Sequence, residues 1–572
     1  MFRKYIFLVL LLIISVLPRL IFLDKVPAAI NEDELHYVID AKSFFFTGKD
    51  TLGQVTPFDV LLFNSPKSLA MQAELQYFLE IPIFGLFGFS MFNLVFMNSV
   101  MSVLTVLLIY LIALKLFNKY AALFAGLIAA INPWLIFSGR TTYEAGPATL
   151  FFLCIFYVLL FTKGWKILFV IPVALLAFYS YIGTKLIFLP FMFLIIAYTY
   201  LYVNKKKYLK QYLLLLLFSI FITLFFAFQF SQHGGARTTE LLFPNNPEIA
   251  RQVVLFRGMA IQSPFINLFD NKISIYLMVL TKNMFNTFSS SYLFSNADYF
   301  FMLGGHGLFY YLDSIFLFIG LAWLLMKDKK LFALFTSLIL LATVPQIFHD
   351  PNGNGNFTPH ISLFIPLLII LIGLGIEQVF KQFKKKKYLY LSIGLIGALY
   401  AFAFISFLYF YFFKFPLQEA TFEVQNRILS KYISLYGNKV PITVYSTNPK
   451  LSYREFIFYT DSYNVNTAAS INRALRDERF VFKNISFVPC ESSELKNSNS
   501  LVIDDISCTR LSMLKAVRIV QLKDGGLRYN IYNDSICGKF DLSSYVSNLK
   551  LSDLNIENSD TQKFCKTYII SR

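Results

Sequence analysis

The chain has 572 residues, of which 56% are hydrophobic and 18% aromatic, and its mean hydropathy is +0.57. Soluble domains contain about half apolar residues, so this composition excludes an ordinary soluble protein. The net charge is +17, but the Lys-rich runs lie in short gaps between apolar stretches, at residues 205–207, 327–330 and 381–387. Positive gaps of this kind are typical of the cytoplasmic side of a membrane protein. We therefore predict a membrane protein with no nucleic-acid partner.

Apolar runs long enough to cross a bilayer, about 18 to 26 residues each, recur along the chain and predict about eleven transmembrane helices. The predicted spans are residues 5–23, 91–117, 120–137, 143–161, two within 167–203, 212–230, 307–326, 331–348, 361–380 and 388–413. Arg3 and Lys4 precede the first span, so the N-terminus is expected in the cytoplasm. An odd number of crossings then places the C-terminus outside, at the plasma membrane, together with the loops 24–76, 231–305 and 349–360.

Residues 1–415 are thus predicted to be a transmembrane domain, and residues 416–572 an extracytoplasmic soluble domain of the α/β or α+β class. Strands are expected at 440–445, 456–459, 500–504 and 517–522, a helix at 468–477, and a hairpin turn at Asp524-Gly525-Gly526. The soluble domain contains Cys490, Cys508, Cys537 and Cys565. An even number of cysteines outside the cytoplasm permits two disulfides, and four buried free thiols are equally compatible with the sequence.

The most distinctive motif is the segment 31–37, Asn-Glu-Asp-Glu-Leu-His-Tyr, just after the first span. Asn31 followed by Glu34 is a capping-box pattern, and it predicts a helix that Gly48 closes. The alternative is catalysis, because adjacent carboxylates repel one another and one of them can act as a general base toward a hydroxyl. The two roles are compatible if Glu34 caps the helix while Asp33 points into a cavity.

A second acid, Glu144, follows Arg140 at the predicted outer end of the fourth span. An Arg and a Glu at such a junction commonly form a paired interfacial anchor. The functional alternative is that Glu144 joins Asp33 around a polar cavity, with Arg140 orienting one of the two acids.

Other residues expected on the outer side are candidates for binding. Lys185 and Lys67 can supply a cation for a phosphate, although a Lys at this depth also commonly extends toward the interface. His306 and His360, together with Tyr37, are candidates for lining a cavity or an acceptor site, but neither of these two histidines has a metal-ligand partner at helical spacing.

The pair Asp33-Glu34, directly after the first span, resembles the Asp-Glu pair of the protein O-mannosyltransferase family and its bacterial relatives, which include the aminoarabinose transferases acting on lipid A. These proteins share the C-type glycosyltransferase fold. Further segments similar to the family pattern are residues 138–144, 181–190, 305–321 and 359–375, so the resemblance covers residues 1–380. The chain departs from the pattern in having Glu144 where many relatives carry Asp, and in lacking an Arg often found near His360.

The resemblance implies an inverting transfer from a polyprenyl-phosphate sugar, by a hexosyl- or pentosyltransferase. Asp33 would deprotonate the acceptor hydroxyl, while Lys185 and Arg140 would stabilise the leaving phosphate. The lipid tail would lie in a groove between helices, and the soluble domain would cover the cavity or select a protein, lipid or glycan acceptor. The implied mechanism requires no cofactor and is compatible with a divalent metal.

Two other classes of function fit the composition. A transporter or lipid flippase of the cell envelope is one, although such proteins usually carry mid-membrane charges and internal repeats, which the sequence does not show. An envelope polymerase, ligase or scaffold that binds partners through the soluble domain is the other.

Overall fold

A computed structural model describes residues 2–62, 74–204, 206–233, 246–298, 305–349, 355–418, 424–437, 440–492, 500–508, 517–520, 527–544 and 549–571. The chain divides into two compact units. The helical unit consists of Met1–Ile21, Val60–Leu75 and Asn98–Leu408. The sheet unit consists of Phe22–Asp59, Gln76–Met97 and Tyr409–Arg572. Most of the predicted outer loop 24–76 therefore folds with the C-terminal residues as part of one sheet unit.

The described residues are mostly helical. Helices α1 to α11 are Phe2–Leu20, Glu32–Thr47, Pro57–Leu61, Glu74–Phe87, Met91–Leu116, Lys119–Ile131, Pro133–Ser138, Ala145–Phe161, Val170–Ser180, Ile182–Tyr198 and Leu209–His233. Helices α12 to α20 are Pro247–Met259, Ile266–Phe269, Lys272–Thr287, Ser290–Phe294, Tyr311–Lys327, Lys329–Ile347, Phe364–Lys381, Lys386–Tyr409 and Phe415–Gln418. Helices α21 to α24 are Val424–Tyr436, Pro449–Tyr459, Ala468–Arg476 and Thr561–Tyr568.

Within the described residues, six helical segments are long and apolar enough to cross a membrane. They are Met91–Leu116, Ile182–Val203, Leu209–Ser231, Lys329–Ile347, Phe364–Lys381 and Lys386–Lys414. Shorter apolar helices cover Ile6–Leu20, Lys119–Ile131, Ala145–Phe161 and Gly164–Ser180. The chain is thus a membrane protein by helix length and composition, while the count of eleven spans and the orientation of the termini stay predictions.

The predicted third span, residues 120–137, is wrong as one continuous helix. The chain breaks at Asn132 into α6 and α7, because Pro133 has no N–H to donate to the preceding turn. Asn132 then caps α7, since its side-chain oxygen accepts a hydrogen bond from Leu135 N at 3.0 Å. The predicted loop 231–305 also differs from expectation, because it contains helices α12 to α15.

Helix α18 is the most enclosed candidate span and packs against α6 and α16. A Cβ atom at Gly373 would lie 2.5 Å from Ala125 N, and one at Gly375 would overlap the Phe316 carbonyl. Small residues of this kind let membrane helices approach backbone to backbone. These two glycines therefore fix α18 against both neighbours at the centre of the helical unit.

The sheet unit contains one seven-stranded mixed sheet among the described residues, with the order β2-β3-β1-β4-β6-β5-β7. Strands β1 to β7 are Ile442–Ser446, Val481–Phe482, Ile485–Pro489, Leu501–Asp505, Val517–Val520, Leu527–Tyr532 and Ile569–Ser571. The central strand β1 runs parallel to β3 and β4, and the other pairs are antiparallel. The strands predicted near 440–445, 500–504 and 517–522 and the helix predicted at 468–477 are therefore confirmed as β1, β4, β5 and α23.

The predicted strand 456–459 is wrong, because these residues form the last turn of α22. Asn448 caps this helix by accepting a hydrogen bond from Leu451 N at 3.1 Å, and Pro449 occupies its first turn, where a missing N–H costs nothing. Its aromatic residues look strand-like in isolation, but the cap decides the local structure. The expected turn at 524–526 lies outside the described residues, although β5 and β6 on either side of it pair antiparallel.

Four cysteines of the sheet unit form two disulfides, Cys490–Cys508 and Cys537–Cys565. The sequence left open whether these thiols were paired. Cys490–Cys508 joins the chain beyond β3 to the chain beyond β4, and Cys537–Cys565 joins the segment after β6 to α24.

Arg427 of α21 connects distant segments of the sheet unit. Its guanidinium contacts both carboxylate oxygens of Glu557, at 2.6 Å and 2.5 Å, and donates to the carbonyl of Ala28 at 2.7 Å. Burial alone would raise the pKa of Glu557, but the charge and hydrogen bonds of Arg427 outweigh it and the pKa is lowered. A bidentate pair of this geometry is among the stronger side-chain interactions.

We expect Arg427→Ala to lower the free energy of unfolding of the sheet unit by about 2 kcal/mol, because it breaks a bidentate ion pair whose Arg is buried and whose Glu is one third exposed, and removes the donor to Ala28. Thermal unfolding of the full-length protein in detergent measures the effect. Arg476→Ala is the matched control, since Arg476 and Asp477 are both about half exposed and such pairs contribute less than about 1 kcal/mol. Equal effects of the two substitutions would contradict the role assigned to Arg427.

Candidate active site

The acidic turn at the start of α2 divides its carboxylates between two environments. Asn31 Oδ1 accepts from Glu34 N at 2.9 Å, and Glu34 Oε2 accepts from Asn31 N at 3.2 Å. This confirms the predicted capping box, and Gly48 ends the helix in the left-handed conformation as expected. Glu34 is buried, whereas Glu32 and Asp33 are exposed. The turn thus commits Glu34 to the cap and leaves Asp33 on the surface.

The backbone leading into this turn is held by buried groups of the sheet unit. Ile30 N donates to the hydroxyl of Tyr459 at 3.0 Å, and the Ala28 carbonyl accepts from Arg427 at 2.7 Å. Tyr37, predicted to line a cavity, is 6% exposed and its ring packs edge-to-face on Tyr77. Asp33 therefore projects from a turn whose position is fixed on both sides.

A charged face of α2 was missed by the sequence analysis. Glu32, His36 and Asp40 are spaced by four residues and so lie on one side of the helix. Arg454 of α22 meets this side, with Nη1 2.6 Å from His36 Nε2. The four-residue spacing was visible in the sequence, but the helix opposite it was not, because α22 was taken for a strand.

Electrostatics on this face keep the His36 ring neutral. Burial, followed by the charges of Arg454 and Lys450, lowers the pKa of His36 to about 3. Burial likewise raises the pKa of Asp40, although Thr51 donates two hydrogen bonds to its Oδ1. The neutral imidazole can accept a hydrogen bond from the guanidinium, which a protonated ring could not do.

The low pKa of His36 predicts an acid-sensitive fold. Unfolded His36 takes up a proton below its ordinary pKa of 6.5, while the folded form resists protonation until about pH 3. Stability is therefore complete above pH 6.5 and falls as the pH decreases, by at most about 1.4 kcal/mol per pH unit and less where solvent screens the ring.

His36→Asn, which carries no titratable ring, should flatten the decline of the melting temperature below neutral pH. Melting curves of the full-length wild-type protein and the variant, recorded across that range, check this. A decline of the same slope in both proteins would exclude His36 as its source.

In the helical unit, Arg140 lies just after α7 and is fully buried. Its Nη1 donates to the carbonyls of Pro18 and Arg19, at 3.1 Å and 3.0 Å, at the C-terminal end of α1. Arg19 in turn donates to the carbonyls of Ala129 and Ala130 near the end of α6. Both arginines thus supply hydrogen bonds to the last carbonyls of a helix, which otherwise have no partner.

The segment carrying Arg140 is also fixed from α5. Asn98 donates to the carbonyls of Thr141 and Tyr143, at 2.8 Å and 3.2 Å, and Ser99 donates to the Gly139 carbonyl at 2.7 Å. Glu144 follows this segment at the N-terminus of α8, where its side chain is partly buried. A carboxylate in this position is favoured by the helix dipole.

Lys185 is paired with a residue that sequence reasoning did not single out. Its Nζ lies 2.7 Å from Glu74 Oε2, and the two side chains are 1% and 2% exposed. The ammonium also faces the rings of Phe178 and Phe226, at 5.9 Å and 5.3 Å from their centroids. Lys67, the weaker cation candidate, lies outside the described residues.

A double-mutant comparison tests how strongly the pairing of Lys185 with Glu74 stabilises the fold. Lys185→Met should lower the free energy of unfolding by about 3 kcal/mol or more, since it leaves a buried carboxylate without its cation. Adding Glu74→Gln should recover most of that loss, because the variant then buries no net charge. Melting temperatures of the two single variants and the double variant in detergent give the coupling. Simple additivity of the two losses would contradict the pairing.

The two predicted histidines lie in aromatic clusters of the helical unit. The His360 ring packs against His349, Phe357 and Tyr181, with centroids 4.4 Å, 4.5 Å and 5.9 Å away. His306 packs against Tyr310 and Phe407.

Among the described residues, no group of three His, Cys, Asp or Glu side chains is placed to hold a metal ion. The compatibility of the mechanism with a divalent metal stays a prediction from the sequence.

A large apolar groove lies on the helical unit between α16, α17 and α18. The sequence analysis expected a groove between helices but did not locate it. Its volume is about 1120 Å³, and its length along α16 from Tyr311 to Leu325 is about 21 Å at the helical rise. Ser290, Ser291, Ser295 and Ser314 are the serines of its lining. The rest is lined chiefly by Leu317, Phe318, Leu321, Leu325, Phe332, Ile339, Leu340 and Leu368.

The predicted site residues are thus divided between the units. Asp33, Glu34 and Tyr37 belong to the sheet unit. Arg140, Glu144, Lys185, His306 and His360 belong to the helical unit. Their meeting in one cavity, and the catalytic and phosphate-binding roles assigned to them, stay predictions.

Comparison with known proteins found no matching family model and no matching curated protein. Solved structures gave weak similarity. The oligosaccharyltransferase of Archaeoglobus fulgidus, tethered with an acceptor peptide, has a TM-score of 0.46 at 13% identity, covering 92% of this chain and 74% of that one.

The archaeal oligosaccharyltransferase AglB from the same organism, in complex with an inhibitory peptide and a dolichol-phosphate, has a TM-score of 0.44 at 14% identity. That alignment covers 88% of this chain and 70% of that one. ArnT from Cupriavidus metallidurans, bound to undecaprenyl phosphate, has a TM-score of 0.42 at 10% identity and covers 92% of this chain and 98% of that one. Because these scores are low, the proposals below rest on the residues of the chain itself.

Proposed function

We propose that this protein is an integral membrane glycosyltransferase that moves a sugar from a polyprenyl-phosphate donor to an acceptor hydroxyl on the outer face of the plasma membrane. The observation that carries the proposal is the difference between two neighbouring acids of this turn. Glu34 is buried in the capping box, and Asp33 beside it is exposed. An exposed carboxylate on a fixed turn can take a proton from a hydroxyl that comes within hydrogen-bond reach of it.

The reaction transfers the sugar with inversion at its anomeric carbon. Asp33 takes the proton of the acceptor hydroxyl as the oxygen attacks that carbon. The bond between the anomeric carbon and the phosphate oxygen breaks, and its electron pair leaves with the lipid phosphate. Because Asp33 is exposed, it can return the proton to solvent and restore the starting state.

Negative charge grows on the phosphate as it leaves, and cations there lower the barrier. Lys185 is assigned this role, since an ammonium has three donors and can contact Glu74 and a phosphate oxygen together. Arg140 is assigned a positioning role through the carbonyls at the end of α1. Glu144, His306 and His360 stay candidates for the catalytic and acceptor sides of the site. Lys67 stays a candidate for a second phosphate contact.

The apolar groove between α16, α17 and α18 is assigned to the donor's polyprenyl chain. It offers an apolar surface of about 21 Å along α16, with four serines among its lining residues. A lipid-linked donor needs such a surface because its chain is insoluble while its head group reacts in water. These residues are compatible with a hexose or a pentose as the sugar, and with a protein, lipid or glycan as the acceptor.

The two disulfides support the assignment of the sheet unit to the outside of the cell. Disulfides form and persist in oxidising compartments and are rare in the cytosol. With the N-terminus in the cytoplasm, the acidic turn would follow the first span and share the outer side with the disulfide-bonded residues.

The base assignment is tested by Asp33→Asn, with Glu34→Gln as the matched control. Asp33→Asn should lower the transfer rate at least about a hundredfold, the usual contribution of a general base. Glu34→Gln keeps the capping box, because Gln serves at the same position, and should keep most of the activity. The assay incubates each protein in vesicles with radiolabelled polyprenyl-phosphate sugars and envelope extract. Full activity in Asp33→Asn would remove the mechanism.

A lipid flippase is the second candidate, because the same groove suits a lipid chain moving between leaflets. The vesicle assay separates the two functions. Transferase activity yields a covalently labelled acceptor, whereas flipping moves labelled lipid between leaflets without any new covalent product.

A further inference from the structure

Helices α12 and α14, with the connecting residues 260–271, form a substructure of the helical unit between α11 and α15. The two helices pack through a small core of Ile249, Val253, Ile275 and Val279. This core uses only one side of each helix. The other sides, and the connection between them, carry a surface of a different kind.

That surface is made of large apolar side chains that the described part of the chain leaves exposed. Ile261 is 91% exposed, Val254 72% and Phe285 71%. The others are Leu255, Met259, Phe265, Leu268, Phe269, Ile273, Leu277, Met278 and Met284. A patch of this size facing water is rare in soluble proteins and marks a surface that binds something apolar. Phe221 in the middle of α11, a candidate span, is exposed to the same degree, at 68%.

The substructure is fixed to the end of another candidate span. Helix α14 packs on α17, and Asn283 Nδ2 donates to the carbonyl of Ile347, the last residue of α17, at 3.0 Å. The exposed apolar surface is therefore attached where a membrane-crossing helix ends. Helix α15, which lines the apolar groove through Ser290 and Phe294, follows α14 directly.

Charge distinguishes this surface from a membrane-spanning one. Residues 246–287 contain the basic residues Arg251, Arg257, Lys272 and Lys282 against the acidic residues Glu248 and Asp270, so four positive charges minus two negative charges leave a net +2. Helix α12 has 13 residues and α14 has 16, fewer than the roughly 20 that a span requires. Short helices that combine basic side chains with exposed Phe, Leu and Met are typical of helices lying in the plane of a membrane interface.

We propose that residues 247–285 form an interfacial segment, whose apolar side chains enter the bilayer leaflet at the Ile347 end of α17 while its Arg and Lys side chains meet lipid phosphates. The partner is the lipid of the surrounding membrane. The proposal depends on the protein being embedded in a bilayer and is independent of glycosyl transfer. Its consequence is that α15, which lines the groove, is held at the depth of the lipid head groups.

Tryptophan quenching by brominated lipids tests the depth directly. Full-length Phe269→Trp protein is reconstituted in vesicles whose lipids carry bromine either near the ester end or near the methyl end of the acyl chain. Emission from the three native tryptophans is subtracted with the unsubstituted protein. Phe221→Trp serves as the spanning control, and Val465→Trp, 69% exposed in the sheet unit, serves as the water-exposed control.

We expect Phe269→Trp to lose emission in both lipids and more strongly with bromine near the ester end. Phe221→Trp should show the opposite order, and Val465→Trp should lose little. Ile261→Trp repeats the measurement at a second exposed position, should one variant fail to fold. Quenching at Phe269 and Ile261 no stronger than at Val465 would overturn the proposal. That result is expected if a second copy of the chain or another protein covers the surface. Quenching that is stronger near the methyl end would equally overturn it, because the segment would then reach the bilayer interior.

Discussion

A helix that ends among buried residues leaves its last carbonyls without hydrogen-bond partners, and in a low-dielectric surrounding each unmet group is costly. Helices α1 and α6 both end in this way, and two fully buried arginines supply the hydrogen-bond donors that these carbonyls need. Arg19 donates to the end of α6, and Arg140 donates to the end of α1. The positions of α1, α6 and the segment from Gly139 to Glu144 follow from these few bonds.

The sheet unit meets a related demand at the start of a helix. The first N–H groups of α2 need acceptors, and the sequence supplies Asn31 and Glu34 in a reciprocal pair. Glu34 serves this purpose, and the exposed Asp33 beside it is the acid to which we assign the proposed chemistry. Structure and proposed function therefore share one turn without competing for the same carboxylate.

Local features of this fold could be predicted from the sequence, whereas features that depend on distant segments could not. The capping box and Gly48 lie within one helix, so their spacing is sufficient. The candidate spans are recognisable because a bilayer demands length and apolarity. Glu74 was missed because it is 111 residues from Lys185 and nothing near Glu74 indicates a cation. The groove was missed in position because its walls belong to separate helices that pack through contacts between distant residues, such as that of Gly375 with Phe316.

The contact between Arg427 and the Ala28 carbonyl spans 399 positions of the chain. A ribosome adding about 5 to 20 residues per second needs about 20 to 80 s to make that length. Throughout this interval the acidic turn has been synthesised but lacks both Arg427 and the Tyr459 hydroxyl that later hold it. The capping box can form as soon as α2 is made, but the attachment of the turn to α21 and α22 is a late event in biogenesis. A truncated polypeptide ending before α21 would lack both of these contacts.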